Sequence, residues 1–404
     1  TEDHIGNILT GDFFSEYAGL QDFVEADVFS WPFLDSRVKH DCIMLVHDLL
    51  DDINSHAFVG LGEQILEDLY RRFEDTEIER STIAHPARER NNPDWSAERA
   101  LRVEMDLGSN PTISLLDPYC GTGNVLSVGL RIILQGLTNA GMDPRSILDH
   151  VLENVAGMDP HPLAVVIART KYVLALSDLL RQRGRLDVTI PVYLADASQP
   201  PKLTSPPVSA YSSTGIPSNP VACQYEIKNQ DPNDLSGGQD AYVITTDGTS
   251  TMLLIPHSLA INPVGLDYLL PKMKNKYAVA IQRAQNETML GRAWYSFHNF
   301  LVAGTGRKPF VLSETDAHTV VQTLVGFVNL MAQDKHTIWY FILRNAMRSV
   351  YLRHKQFDLV VSDPHRSFIN QTDNSKQENL NSSNLRFHEV AEGYLRRGGR
   401  VLIS

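Results

Sequence analysis

The sequence is poor in cysteine: three occur in 404 residues, at Cys42, Cys120 and Cys223, and no two form a CxxC pair. That excludes a disulfide framework and a structural zinc knuckle, and it suits a reducing compartment. No run of about 18 apolar residues is present, and the acidic start TEDHIGNIL lacks the basic and apolar regions of a secretion signal. The expected setting is cytoplasmic, with no membrane partner. Positive charge is also short, since the formal net charge is -12. A protein that coats nucleic acid by bulk electrostatics is thereby excluded, and any such contact requires a local basic surface. Candidates are Arg344, Arg348, Arg353 and Lys355, then Arg396, Arg397 and Arg400, although solvated helix faces and strand edges carry the same pattern. No HExxH or GxxxxGK[ST] occurs; Gly304 to Lys308 (GTGRK) reads as a surface turn. His40, Cys42 and His47 share no helix face, so no metal site is expected.

What is present is ordinary for a globular protein, with 43% hydrophobic and 21% charged residues. Residues 1 to about 105 read as helical, from the spacing of apolar residues in CIMLVHDLLDDI and LGEQILEDLYRRF. From about 113 the pattern changes to short apolar strands followed by long helices, which is the signature of a parallel α/β sheet. ISLLD (113–117) is the first strand, and NVLSVGLRIILQGL a helix ending near Gly141. NVAGMD (154–159) is the second strand, followed by a helix with Pro162 in its first turn and Gly184 as its stop. TIPVYLAD (189–196) is read as the third strand.

Residues 200–337 break this rhythm with a Pro- and Ser-rich stretch, then a hairpin turning at Asp247-Gly248 and two or three helices. KQFDLVVSDP (355–364) is the fourth strand. NLRFHEVAEGYLRRGG is the helix that leads to the last strand, RVLIS. Trp339, Tyr340 and Phe341 read as core. The absence of an initial Met and the stop at Ser404, directly after a strand, read as a fragment. The expected regions are therefore 1–105 helical, 106–199 the first half of an α/β domain, 200–337 an insertion, and 338–404 the second half.

Leu116-Asp117-Pro118-Tyr119-Cys120-Gly121-Thr122-Gly123 is a strand, a Gly-rich turn and a helix start, where backbone N–H groups could receive an anionic group. A tight turn without a ligand has the same pattern. A dinucleotide site is disfavoured by spacing: Leu126 occupies the position of the third glycine, and the strand-end acid is Asp159, too late for the usual ribose contact.

DPYCGTGNVL followed by GMDPHPLAVVIAR resembles motifs I and II of class I S-adenosylmethionine-dependent methyltransferases, in the branch that methylates amino groups of DNA. DFVEADVFSWPFL, and IWYFILRN ahead of FDLVVSDP, resemble segments of the large adenine-N6 methyltransferases of type IIG restriction and phage-resistance (BREX-like) systems. The resemblance implies a Rossmann-like, mainly parallel sheet with a helical N-terminal region and a large insertion between the third and fourth strands. It implies S-adenosylmethionine as cofactor, with Asp117, Pro118 and the loop Tyr119, Cys120, Gly121, Thr122 and Gly123 around its methionine moiety. Asp159, beside Pro160, would accept from the ribose hydroxyls, and Asp196, beside Ala197, would meet the cofactor adenine. A strand-end Asp can accept bonds from a diol or an amine, but it also caps helices and forms turns.

In this family the fourth strand ends in Asn or Asp, then Pro-Pro, then an aromatic residue. The exocyclic amine of adenine is a poor nucleophile, so a side-chain acceptor and a backbone carbonyl draw on its hydrogens while the aromatic ring stacks on a base flipped out of double-stranded DNA. Here Asp363 and Pro364 keep the acceptors. His365 replaces the second proline, Arg366 stands at the aromatic position, and Arg366 or Phe368 is left to stack. The Tyr-Thr-Pro turn of the family reads Asn91-Asn92-Pro93. No cysteine lies near residue 363, which opposes cytosine-C5 methylation. The alternative expectation is a catalytically weakened subunit that holds cofactor or DNA within a restriction or defence complex.

Overall fold

The computed structural model describes residues 12–24, 40, 44, 101–103, 111–183, 187–204, 241–245, 251–304, 308–331, 336–362 and 387–403. These fall in two compact units, one built from residues up to Ser198 and from Lys355 onward, the other from Gln199–His354. Among the described residues no helix is long and apolar enough to cross a membrane.

The first unit begins with α1 (Asp12–Ala18) and the two-residue β1 (Leu20–Gln21). It continues through β2 (Leu115–Asp117), α2 (Asn124–Asn139), α3 (Pro144–Asn154), β3 (Val155–Asp159) and α4 (Pro162–Arg183). Then come β4 (Val188–Thr189) and β5 (Val192–Leu194). Helix α3 was missed by hydrophobic spacing. Its cause is capping: Asp143 accepts from the N–H groups of Arg145 and Ser146, both at 3.1 Å, and Pro144 opens the helix where no N–H is needed.

The expected third strand is in fact two. Val188 and Thr189 pair in parallel with Leu20 and Gln21, whereas only Val192 to Leu194 joins the central sheet. Pro191 lies between them and has no N–H to offer a ladder. Arg169 of α4 then ties the pieces together. It is 3% exposed, and its guanidinium donates to the carbonyls of Val192 (2.8 Å), Asp22 (2.7 Å) and Phe23 (3.0 Å).

The second unit holds β6 (Leu203–Thr204), β7 (Ala241–Thr245) and β8 (Met252–Pro256), an antiparallel sheet in which Thr245 pairs with Met252. The hairpin strands lie where the sequence places them; its turn lies outside the described residues. Helices α5 (His257–Ala260) and α6 (Pro263–Lys272), a π-helical turn (Met273–Ala278), α7 (Val279–Gln282), α8 (Glu287–Val302), α9 (Glu314–Met331) and α10 (His336–Lys355) complete it. Pro271 sits inside α6 and cannot donate, and the widened turn follows directly. Helix α9 lies on β8 because Gly326 lets it: a methyl there would stand 3.0 Å from Leu253 Cδ2 and 3.2 Å from the Met252 carbonyl. Thr323 meets the outer edge of β8, accepting from the Leu254 N–H at 2.7 Å and donating to its carbonyl.

In the first unit β9 (Phe357–Ser362) and β10 (Leu395–Ile403) close the sheet. The last strand starts five residues before the expected RVLIS, and the register shifts between Leu395 and Arg400, where Gly398 takes φ +84°. All five strands run parallel, in the order β10-β9-β2-β3-β5. In chain order that is fifth, fourth, first, second, third, so the winding reverses between β2 and β9. This is an α/β unit with a parallel central sheet, compatible with a Rossmann-like fold, and ligands in such sheets bind beyond the carboxyl ends of the strands at the reversal.

Of the basic clusters singled out in the sequence, several members are engaged within the fold. Arg348 is 5% exposed and forms an ion pair with Asp267. Arg396 pairs with Asp358 at 3.0 Å, and Lys355 donates to the Glu153 carbonyl. Those three are fold-holding cations rather than a free basic surface. Most of the helical N-terminal expectation, including Asn91 to Pro93, lies outside the described residues, as do Gly184 and the metal-ligand candidates Cys42 and His47.

Candidate functional site

Asp117 ends β2 and Asp159 ends β3, with Leu116 level with Ala156 and Asp117 with Gly157. Asp159 is level with Leu194, so Asp196 lies two residues past β5 on the same sheet edge. The fold thus gathers the three acids and the Gly-rich turn at the carboxyl ends of adjacent strands. On the other side, Leu115 and Leu116 pair with Leu359 and Val360, which brings the end of β9 at Ser362 to this edge as well. Asp363, Pro364, Arg366 and Phe368 lie outside the described residues.

The turn is built by two left-handed glycines, Gly121 at φ +51° and Gly123 at φ +81°. They differ in surroundings. A methyl on Gly123 would stand 2.9 Å from Ala168 Cβ and 3.0 Å from Ala168 Cα, so this glycine lets the start of α2 lie against α4. A methyl on Gly121 would meet nothing within 4 Å, so the chain is open there. Gly157, within β3, admits Leu126 and Cys120: its missing Cβ would lie 2.7 Å from Leu126 Cδ2 and 3.2 Å from Cys120 Sγ.

Of the two readings the sequence allowed for this turn, an anion site or a tight turn without a ligand, the hydrogen bonds of four of its N–H groups agree with the second. The Tyr119 N–H donates to Asp117 Oδ1 (3.3 Å), that of Cys120 to the Met158 carbonyl (3.0 Å), that of Gly121 to Asp159 Oδ2 (3.0 Å), and that of Gly123 to the Cys120 carbonyl (2.7 Å). A phosphate nest needs such donors converging outward, and here four are turned to the fold itself. A pyrophosphate cradle is therefore disfavoured by geometry as well as by glycine spacing.

The acids are seen in their turn-forming role. Asp159, 1% exposed, uses Oδ2 to hold the turn at Gly121 and Oδ1 to accept from the His161 N–H at 2.8 Å. Asp117 is equally buried. Asp196 is half-buried and forms a turn, with Oδ1 accepting from the N–H (2.8 Å) and hydroxyl (2.6 Å) of Ser198. A carboxylate oxygen can accept more than one hydrogen bond, and Gly121, which Asp159 holds, has open space where a side chain would stand.

Other turn side chains face inward. Cys120 is buried against β3, and burial, reinforced by Asp117 and Asp159, pushes its thiol pKa well up. Tyr119 is 6% exposed, its ring centroid 6.1 Å from that of Phe387, and burial raises its phenol pKa, with Asp196 adding to the effect. Ala197 is buried, and its carbonyl accepts from the Tyr394 hydroxyl at 3.3 Å. Pro118 and Pro160 stand directly after the acids that end β2 and β3.

Sequence reasoning missed Lys171. This lysine of α4 is 1% exposed, and its ammonium donates to Asn124 Oδ1 at 2.5 Å, with Thr122 Oγ1 at 3.5 Å. It braces the first turn of α2 from below. The signal was a pair of cations, Arg169 and Lys171, in the otherwise apolar run LAVVIARTKYVLAL, since buried cations occur only where partners await them.

The geometry thus defines a Gly-rich turn with strand-end carboxylates at the reversal of a parallel α/β sheet. No known protein-family model matches the chain. A stretch of 133 residues is 29% identical to the adenine-specific methyltransferase PglX of Streptomyces coelicolor, covering 32% of this chain and 11% of that protein. The chain spans only a small part of the relative's length.

Proposed function

We propose that this chain carries the S-adenosylmethionine-binding part of a methyltransferase that acts on adenine N6 in double-stranded DNA, within a restriction or phage-defence system. The observation that carries this reading is the acceptor-rich edge at the sheet reversal: Asp117, Asp159 and Asp196 beside an open glycine, with four of the turn's own donors bonded within the fold. Such an edge suits a nucleoside cofactor that presents hydroxyls and an ammonium and has no phosphate. The likeness to an adenine-specific methyltransferase supports the same chemistry.

The residues present fit that cofactor. Asp159 and Asp196 would accept from its hydroxyl and amino groups, and Gly121 leaves the space a side chain would fill. When bound, the cofactor supplies an electrophilic methyl group. This chain's part is to hold the amine. The Asp363 carboxylate and the Pro364 carbonyl would accept hydrogen bonds from its two N–H groups, which returns lone-pair density to nitrogen, while Arg366 or Phe368 would cover the flipped base.

The test is methyl transfer from labelled cofactor to mixed-sequence duplex DNA, read as N6-methyladenine, with Asp363→Ala as the control that should abolish it. No transfer to any of a broad set of DNA sequences would overturn the reading. A second reading, a subunit that binds cofactor or DNA without turnover, is favoured by His365 and Arg366, which replace the family's proline and aromatic ring. Calorimetry separates the two, because the subunit binds cofactor but transfers nothing.

A further inference from the structure

The chain is acidic overall, yet residues 263–308 hold seven Lys and Arg against two Asp and Glu. One of those two acids, Asp267, is engaged by Arg348. In the second unit three of the lysines are gathered on one aromatic cluster. The Lys272 ammonium lies 4.3 Å from the Tyr268 ring centroid and that of Lys276 lies 4.9 Å from Tyr277. Lys308 lies 5.2 Å from Phe300 and 5.4 Å from Phe310.

Phe300 joins these rings, with its centroid 6.3 Å from Tyr268, 5.4 Å from Tyr277 and 6.0 Å from Phe310. Three ammonium groups from two separate segments therefore share one patch. The widened helical turn at Met273–Ala278, which follows Pro271, carries Lys276 and Tyr277. Lys308 also donates to the Phe300 carbonyl, and burial lowers its pKa. Lys276 is exposed, and Lys272 and Lys308 are half-exposed.

We propose that this lysine–aromatic patch, formed by Lys272, Lys276 and Lys308 on Tyr268, Tyr277, Phe300 and Phe310, grips the phosphate backbone of double-stranded DNA. The inference rests on the DNA reading above and names a surface that would hold the duplex. Crowding like charges on one face of an acidic protein is unfavourable until a polyanion meets them. Duplex DNA offers one charge per ~1.7 Å of axis, so phosphates are dense enough along it to meet more than one of these ammonium groups. Rings beneath the ammonium groups hold them in place as point charges, which suits backbone contact without base reading.

The test is fluorescence anisotropy of the full chain with a labelled mixed-sequence duplex across a salt series, without cofactor. Lys272→Ala with Lys276→Ala should lower the magnitude of the log K against log salt slope by roughly 2 and weaken binding by ~10-fold or more near ~0.1 M salt. Lys272→Arg with Lys276→Arg should retain both, and circular dichroism should show both variants folded. An unchanged slope in the Ala variant overturns the proposal. So does displacement of the duplex by poly-glutamate as readily as by unlabelled DNA, which would mark a patch for acidic protein. Failure of methyl transfer with this salt-dependent binding intact would sink the functional reading and leave the patch standing.

Discussion

Replacing either glycine of the turn by alanine looks equivalent in sequence, and the structure makes the two unequal. Both sit at positive φ, where an L side chain costs roughly 1–2 kcal/mol. At Gly121 the new methyl meets open space, and the lost flexibility of the unfolded chain offsets part of that cost, by about 0.4–1 kcal/mol. Gly121→Ala should therefore destabilise by only about 0.5–1 kcal/mol. At Gly123 the methyl would stand 2.9 Å from Ala168 Cβ and 3.0 Å from Ala168 Cα. The second of these atoms is backbone, which cannot rotate away, and overpacking of this kind costs roughly 1–3 kcal/mol beyond the conformational strain. Gly123→Ala should thus cost about 2–4 kcal/mol, against a conversion of roughly 2–4 °C in Tm per kcal/mol for a unit of this size. The assay is urea unfolding followed by hydrogen exchange of α2 and α4, so that the first unit is read separately from the second. Adding Ala168→Gly should recover part of the loss, because it removes the opposing methyl and leaves the α4 backbone in place, giving a coupling of roughly 0.5–3 kcal/mol. Equal costs for the two glycines, or additive behaviour of Gly123→Ala with Ala168→Gly, would refute the close-approach argument.

Arg169→Met should leave the carbonyls of Asp22, Phe23 and Val192 without this donor, at a cost of roughly 1–3 kcal/mol per carbonyl left unsatisfied, and speed hydrogen exchange of Leu20, Gln21 and Val188 before the rest of the unit. Unchanged protection there would show that Arg169 does not hold the β1–β4 pair. Cys120, buried and with its thiol pKa raised, should resist iodoacetamide in the folded protein and react only after unfolding, as read by mass spectrometry; fast labelling at low denaturant would contradict its packing against Gly157. His318 has its pKa lowered from 6.5 by burial first and by neighbouring His298 second, against a smaller opposing pull from Glu314. The unfolded state then binds the proton more readily, so this contribution to stability is complete above the unfolded pKa and is lost as pH falls through the folded value. Denaturant unfolding of the second unit should show weakening from about pH 6.5 downward, and His318→Gln should flatten that slope; an unaltered slope would clear His318 of the effect.

Features that arise within a few residues were legible in the sequence. The alternation of short apolar strands and long helices announced a parallel α/β unit, Gly121 and Gly123 announced a strand-to-helix turn, and the hairpin at 241–256 announced itself by strand pattern. Each rests on local dihedral preference or side-chain periodicity, which the chain carries with it wherever it folds. Helix α3 was legible too, through Asp143-Pro144, to a reader of caps rather than of hydrophobic spacing.

Pairings between distant segments were decided only by the tertiary structure. No local signal in Leu20-Gln21 names Val188-Thr189 as its partner, and Pro191 marks a break in 189–196 without saying which sheet each side joins. The strand order that puts Asp117 beside β9 is a property of the assembled sheet. The turn's hydrogen bonds show the same division most clearly. By itself the DPYCGTG segment reads equally as an anion site or as a tight turn without a ligand, because its N–H groups are countable but their partners are not. Once β3 lies alongside, the Met158 carbonyl and the Asp159 carboxylate take two of those donors. The residues were determined by the sequence, and which of their donors bond within the fold was decided by what folding placed next to them.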